Sequence, residues 1–186
     1  NGTVTVSSNT TLKTGQYQLQ LTFHGYRAES RVFNVTLEPC GHPDIDANGK
    51  CGTCQYQFVA TLTDAAGEVT GYDTLNGALA EVKALSADAQ NASRYTVRLH
   101  RDVTEDVRIT GGKFTLDLNG KTATVPSGLA ISGTTDIGIQ NGRLVSDVTV
   151  SSASLTVSAA EGLGRITLQG SANVQFYPDA GASAFK

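Results

Sequence analysis

From Val107 to Phe176 the chain reads VRITGGKFTLDLNGKTATVPSGLAISGTTDIGIQNGRLVSDVTVSSASLTVSAAEGLGRITLQGSANVQF. Apolar pairs recur along it in two interleaved series. The first holds Val107/Ile109, Leu129/Ile131, Val148/Val150 and Ile166/Leu168, with leading members that step by 22, 19 and then 18. The second holds Leu116/Leu118, Ile137/Ile139, Leu155/Val157 and Val174/Phe176, stepping by 21, 18 and then 19. It trails the first at offsets of 9, 8, 7 and 8, and turn signals punctuate the steps at Gly111-Gly112, Asn119-Gly120, Gly133, Asn141-Gly142 and Gly170. One residue separates the members of each pair, so on a strand both point to the same face. The expected fold is mainly β: a short parallel β-solenoid, each coil of about 20 residues supplying two or three strands. A single coil cannot bury its inward residues, and its neighbours do so. An antiparallel sandwich also places short strands about 8–12 residues apart. The order and offset kept through four passes favour the solenoid.

N-terminal to the repeat, Leu75, Leu79, Val82 and Leu85 recur at helical spacing, with Ala78 and Ala80 beside them and Asp73 or Thr74 as N-cap. This helix is expected to end within Ser86–Ser93 and to cap the first coil, shielding strand edges from other chains. Tyr95–Leu99 and Gln55–Thr63 read as strands, the latter with Tyr56, Phe58, Ala60 and Leu62 on one face. Three further strand-like runs lie at Thr3–Val6, Gln16–Phe23 and Arg31–Leu37, with turns at Lys13-Thr14-Gly15 and His24-Gly25-Tyr26. They are too few for an immunoglobulin-like sandwich, which takes about seven. The expected division is a strand segment over 1–38, either the end of an Ig-like domain or strands that pack on the later segments. A cysteine loop over 39–56 comes next, then the capping helix and solenoid over 57–186.

All three cysteines fall in Cys40-Gly-His42-Pro-Asp-Ile-Asp-Ala-Asn-Gly-Lys-Cys51-Gly-Thr-Cys54. Three thiolates and one imidazole, from Cys40, His42, Cys51 and Cys54, make a full tetrahedral donor set, and this soft chemistry suits Zn²⁺ better than calcium or magnesium. No coordination position remains for water, so the expected role is structural, tying down a loop with little core of its own. A Cys51–Cys54 or Cys40–Cys51 disulfide is the alternative and leaves one thiol over. A redox-active Cys-x-x-Cys lacks the surrounding βαβ pattern. Asp44-Ile-Asp46-Ala-Asn48-Gly49 also matches the opening of a calcium loop, but the twelfth position is the neutral Gln55. An Asx-rich turn is the preferred reading there.

Composition bounds the function. The 186 residues carry 17% charged side chains and a formal charge of -3, which excludes an electrostatic nucleic-acid binder. No apolar run approaches the roughly 18–20 residues of a membrane helix. With no Met and an Asn at position 1, the chain is expected to be an excised or mature piece of a longer product. Polysaccharide cleavage on a solenoid needs clustered carboxylates or calcium beside Arg or His. The outward positions between the apolar pairs are Arg108, Ala130, Thr149 and Thr167, then Asp117, Gly138, Thr156 and Gln175. One acid among eight is no cluster. Asp117 and Asp136 could approach one another across stacked coils, though a solvated role is expected for both, and His100-Arg101-Asp102 with Glu105-Asp106 reads as a charged turn. No nucleophile elbow, P-loop or dinucleotide fingerprint occurs. No catalytic residue is assigned.

Tyr72-Asp73-Thr74-Leu75-x-x-Ala78-Leu79, Tyr95-Thr96-Val97-x-Leu99-x-x-Asp102-Val103 and Phe114-Thr115-Leu116-Asp117-Leu118-Asn119-Gly120-Lys121-Thr122 together resemble a pattern in secreted surface proteins of Gram-positive, often gut-dwelling, bacteria. There a right-handed pectate-lyase-like β-helix begins with a capping helix, often preceded by a Cys-x-His…Cys-x-x-Cys zinc knuckle. The resemblance covers about Cys40 to Asn141 and, more loosely, the rest, and it transfers no catalytic residue. It implies export, a cell-wall or secreted parent, and contact with a host glycoprotein or glycan. The resulting expectation is a non-catalytic adhesive module, without nucleic-acid partner or membrane insertion. The alternatives are a spacer or accessory domain of a larger secreted protease or glycosidase, and a polysaccharide-cleaving β-helix enzyme.

Overall fold

The computed structural model describes residues 15–19, 22–23, 26–27, 31–35, 40–85 and 95–177. From Thr96 onward the strands build a parallel β-solenoid. The first coil holds β7 (Thr96–Leu99), β8 (Val103–Thr104) and β9 (Arg108–Ile109), and the second β10 (Gly112–Asp117), β11 (Thr122–Thr124) and β12 (Leu129–Ser132). The third and fourth coils run continuously as β13 (Thr135–Ser151) and β14 (Ser154–Gln169), and β15 (Asn173–Tyr177) begins another. Three parallel ladders connect about four turns. The inward rungs of the first are Val97, Leu116, Ile139, Val157 and Phe176. Those of the second include Val103, Ala123 and Leu144. Those of the third are Ile109, Ile131, Val150 and Leu168. The rungs from Val97 to Val157 join one hydrophobic core, where each fully buried Leu or Ile contributes about 1.5–3 kcal/mol.

The second apolar series keeps its strands but shifts its first register. Ile137 and Ile139 pair with Phe114 and Leu116, two residues earlier than the spacing suggested. The second coil is the long one, because it accommodates both the Asn119-Gly120 turn and a turn in which the Gly128 amide donates to the Val125 carbonyl. The true offsets from Val107, Leu129, Val148 and Ile166 to Phe114, Ile137, Leu155 and Val174 are then 7, 8, 7 and 8 in turn. The outward row becomes Thr115, Gly138, Thr156 and Gln175. The other predicted outward row, Arg108, Ala130, Thr149 and Thr167, stands as read.

The start of the stack is closed by different geometry. β5 (Ala60–Thr63) pairs antiparallel with both β7 and β6 (Val69–Tyr72). The helix α1 (Leu75–Leu85) buries Leu75, Ala78, Leu79 and Val82 in the core, while Leu85 stays 40% exposed and Ala80 is exposed. Thr74 is the N-cap, its Oγ1 accepting from the Gly77 amide at 3.0 Å. The predicted helix end at Ser86–Ser93 lies outside the described residues. The predicted strand Gln55–Thr63 is shorter than its alternation, because Gln55 sits at φ 63 and breaks the extended run. Phe58, Ala60 and Leu62 are buried as expected, but Tyr56 is 42% exposed.

The chain divides into two compact units, Asn1–Gly41 and His42–Lys186. In the first, β1 (Gly15–Leu19) pairs antiparallel with β4 (Arg31–Val35), and β2 (Thr22–Phe23) with β3 (Tyr26–Arg27). The run Gln16–Phe23 is thus split between two pairings, and Gly15, expected in a turn, is in strand. The predicted strand Thr3–Val6 lies outside the described residues.

Candidate metal centre

Cys40, His42, Cys51 and Cys54 come together as the spacing predicted, with their ligand atoms all within 4.8 Å of one another. The group is close enough to bind a metal ion. His42 Nδ1 lies 3.4 Å from Cys54 Sγ, against about 3.5 Å for an S–N edge of a tetrahedral zinc site. No disulfide occurs among the described residues. His42 adopts φ 50, a left-handed backbone conformation. Such a conformation costs a side-chain-bearing residue about 1–2 kcal/mol.

Backbone hydrogen bonds shape the loop. The Cys51 amide donates to the Tyr56 carbonyl at 2.8 Å, Gln55 N to Cys51 O at 2.8 Å, and Gly52 N to Asp44 O at 2.7 Å. The Asp44–Gly49 stretch forms the expected Asx turn: Asp46 Oδ1 accepts from the amides of Asn48 and Lys50, 2.9 Å each. These bonds, Lys50's foremost, hold the Asp46 carboxyl below its usual range. The Cys51 thiol is fully enclosed and held down at about 6. The Cys54 backbone amide is the main cause, opposed by burial and aided by the His42 and Cys54 side chains and the Thr53 amide. A thiolate is therefore ready for a cation near neutral pH.

Aromatic rings fix the imidazole. His42 meets Phe58 edge-on at 5.0 Å and Tyr56 at 5.5 Å, and Tyr56 and Phe58 meet at 5.1 Å. The loop is stitched to the first coil. The Phe58 amide donates to Gly49 O, His100 N to Val59 O, and Arg101 Nη2 to Gln57 O at 2.8 Å. The His100 ring packs where a Gly49 side chain would stand, and its Nε2 lies 2.8 Å from Thr61 Oγ1. His100 Nδ1 is buried and has no hydrogen-bond partner among the described residues. Burial, reinforced by Arg98, lowers the His100 pKa and so favours the neutral ring.

The charged turn His100–Asp106 is a set of fasteners. Asp102 Oδ1 accepts from Thr122 N at 2.8 Å and Asp106 Oδ1 from Ser127 N at 3.0 Å, each reaching the next coil. Glu105 accepts from the amides of Leu75 and Asn76, 3.0 Å each, at the start of α1. Asp117, expected in solvent, is instead buried, because Arg98 Nε at 3.0 Å and the Asn119 amide at 2.9 Å compensate its charge. Asp136 is exposed and shares its rung with Lys113, while Asp117 shares one with Gln140, so the two carboxylates stand on well-separated rungs. A groove of about 310 Å³ runs past Asp106, Arg108, Ser127 and Asp147, yet Asp147 Oδ1 is engaged by the Arg165 amide at 2.8 Å. No helix among the described residues is long and apolar enough to cross a membrane.

Sequence reading missed Tyr56 and His100 as partners of the knuckle and Glu105 as a helix cap. For Asp117 a signal existed: Arg98 stands opposite it once Leu116 is aligned with Val97. Compared with protein-family models, curated proteins and solved structures, the chain finds no match in any of the three.

Proposed function

We propose that this chain is a non-catalytic extracellular module of a bacterial surface or secreted protein, held in shape by one structural zinc ion and binding a host glycoprotein or glycan. The observation that carries the reading is the complete donor set. Three sulfurs and one nitrogen lie close enough together to complete a tetrahedral shell around zinc, which would leave no position for substrate or water. Its chemistry favours zinc, since thiolate and imidazole disfavour calcium and magnesium. The glycan component is supported by the flat outward rows, where Thr115, Thr156 and Gln175 in one and Thr149 and Thr167 in another offer hydroxyls and amides. The carboxylates flanking the grooves are bonded to backbone amides, which argues against an acid/base pair for glycoside cleavage.

Elemental analysis of protein purified without added metal is expected to find about one zinc per chain, lost in Cys51→Ser. Metal-free folded protein with a mapped disulfide overturns the zinc assignment. A glycan and host-protein array probed with zinc-loaded protein tests the binding role. A silent array refutes it and leaves the spacer reading.

A further inference from the structure

Tyr56 is the exposed aromatic of the knuckle, two residues beyond Cys54. Its ring packs against Phe58 and His42, with centroids 5.1 and 5.5 Å away, and its hydroxyl donates to Asp73 Oδ1 at 2.8 Å. Arg101, anchored by its bond to the Gln57 carbonyl, acts electrostatically on the same hydroxyl. Asp73 and Arg101 are both exposed, and among the described residues Asp73 Oδ2 takes no further hydrogen bond. A partly exposed aromatic ring, an available carboxylate oxygen and guanidinium N–H groups thus converge at one spot on the surface.

Resting on the glycan-binding reading, we infer that Tyr56, Asp73 and Arg101 form a subsite for a neutral pyranose, carried on the metal knuckle. The electron-rich ring face suits the polarised C–H face of a sugar, while carboxylate and guanidinium take vicinal hydroxyls as acceptor and donor. The two charges oppose one another, so the pair favours neither acidic nor basic sugars. Among the described residues the other exposed tyrosine is Tyr177, whose hydroxyl is spent on Gln175 of its own strand. The metal gains a second consequence here: the Cys51 amide holds the Tyr56 carbonyl, so ordering the knuckle orients the platform.

The test is a titration of the metal-loaded full chain, followed by ¹H–¹⁵N correlation spectra. The probes are the methyl glycosides of glucose, galactose, mannose and N-acetylglucosamine, with glucuronic acid as the charged comparison. Saturable shifts at Tyr56, Asp73 and Arg101 are expected with a neutral sugar, and glucuronic acid should gain no affinity over it. Tyr56→Ala should weaken binding by about tenfold or more. Should Tyr56→Ala disturb the knuckle, Asp73→Ala and Arg101→Ala keep the ring and must each weaken binding too. Sugar-induced shifts confined to the Thr115–Thr156 row, with all three variants binding as the parent does, overturn this subsite and leave the glycan reading intact. No shift with any probe, together with a silent glycan array, overturns both.

Discussion

Gly49 shows how far one residue's geometry reaches. It sits at φ 72, and a side chain there would occupy the space of the His100 ring. Gly49→Ala therefore combines left-handed strain with a collision, and is expected to cost about 2–4 kcal/mol in chemical denaturation. His100 makes the same contact pH-sensitive. Its folded pKa lies below the ordinary 6.5, burial being the main cause. Between those two values the unfolded chain binds a proton that the folded chain refuses, so stability falls as pH drops through 6.5 and is fully present above it. Denaturation from about pH 5 to 8 should show this slope, and His100→Gln should flatten it. An unchanged slope in the variant would remove His100 as its source. None of this was legible in the sequence, where Gly49 reads as a turn residue and His100 as part of a charged cluster. The knuckle and the end of β7 are distant along the chain, and only the fold brings them together.

At the scale of elements, the regular parts were readable and the borrowed parts were not. α1 announced itself by its apolar spacing and Thr74 cap. The cluster of Cys40, His42, Cys51 and Cys54 announced itself because its local spacing matches a metal-ligand set. Two ladders were visible because Ile, Leu and Val mark their inward rungs. The second ladder escaped, since its rungs include Ala123, and the buried Ser146 is spent on the Leu129 amide at 2.8 Å. Small and polar residues carry no period-two signal. The misplaced register at Phe114 has the same origin: turns lengthened one coil, and apolar spacing does not report turn length. Glu105 illustrates borrowing, because α1 takes its N-terminal charge from the loop after β8. Glu105→Ala leaves two helix-start amides without that acceptor beside the positive end of the helix dipole. A loss of about 1–2 kcal/mol is expected in thermal unfolding, and no loss would show that water serves α1 equally well.

Across the solenoid the three ladders are all parallel, but they are unequal in burial. Within the third ladder Ile131 and Val150 are fully buried, whereas Leu168 is 54% exposed. Stability in a stack of coils is a sum of nearest-neighbour terms, so it should decline toward β15. Ile139→Ala is expected to cost about 3–4 kcal/mol and Leu168→Ala less than about 1 kcal/mol. Amide exchange should show β13 most protected and β15 least. Equal protection of the two would contradict the gradient.

The mixed pairing of β7 has a consequence for time as well as shape. β5 meets it antiparallel, while each strand from β10 onward joins its predecessor in parallel. Along this ladder the stack therefore has a first page before which no coil of the same kind can be bound. A chain emerging N-terminus first, from a ribosome or an export channel, delivers that page before the rest. Each later coil that emerges then finds a template already exposed beside it, so synthesis in this direction favours assembly in the order of the sequence.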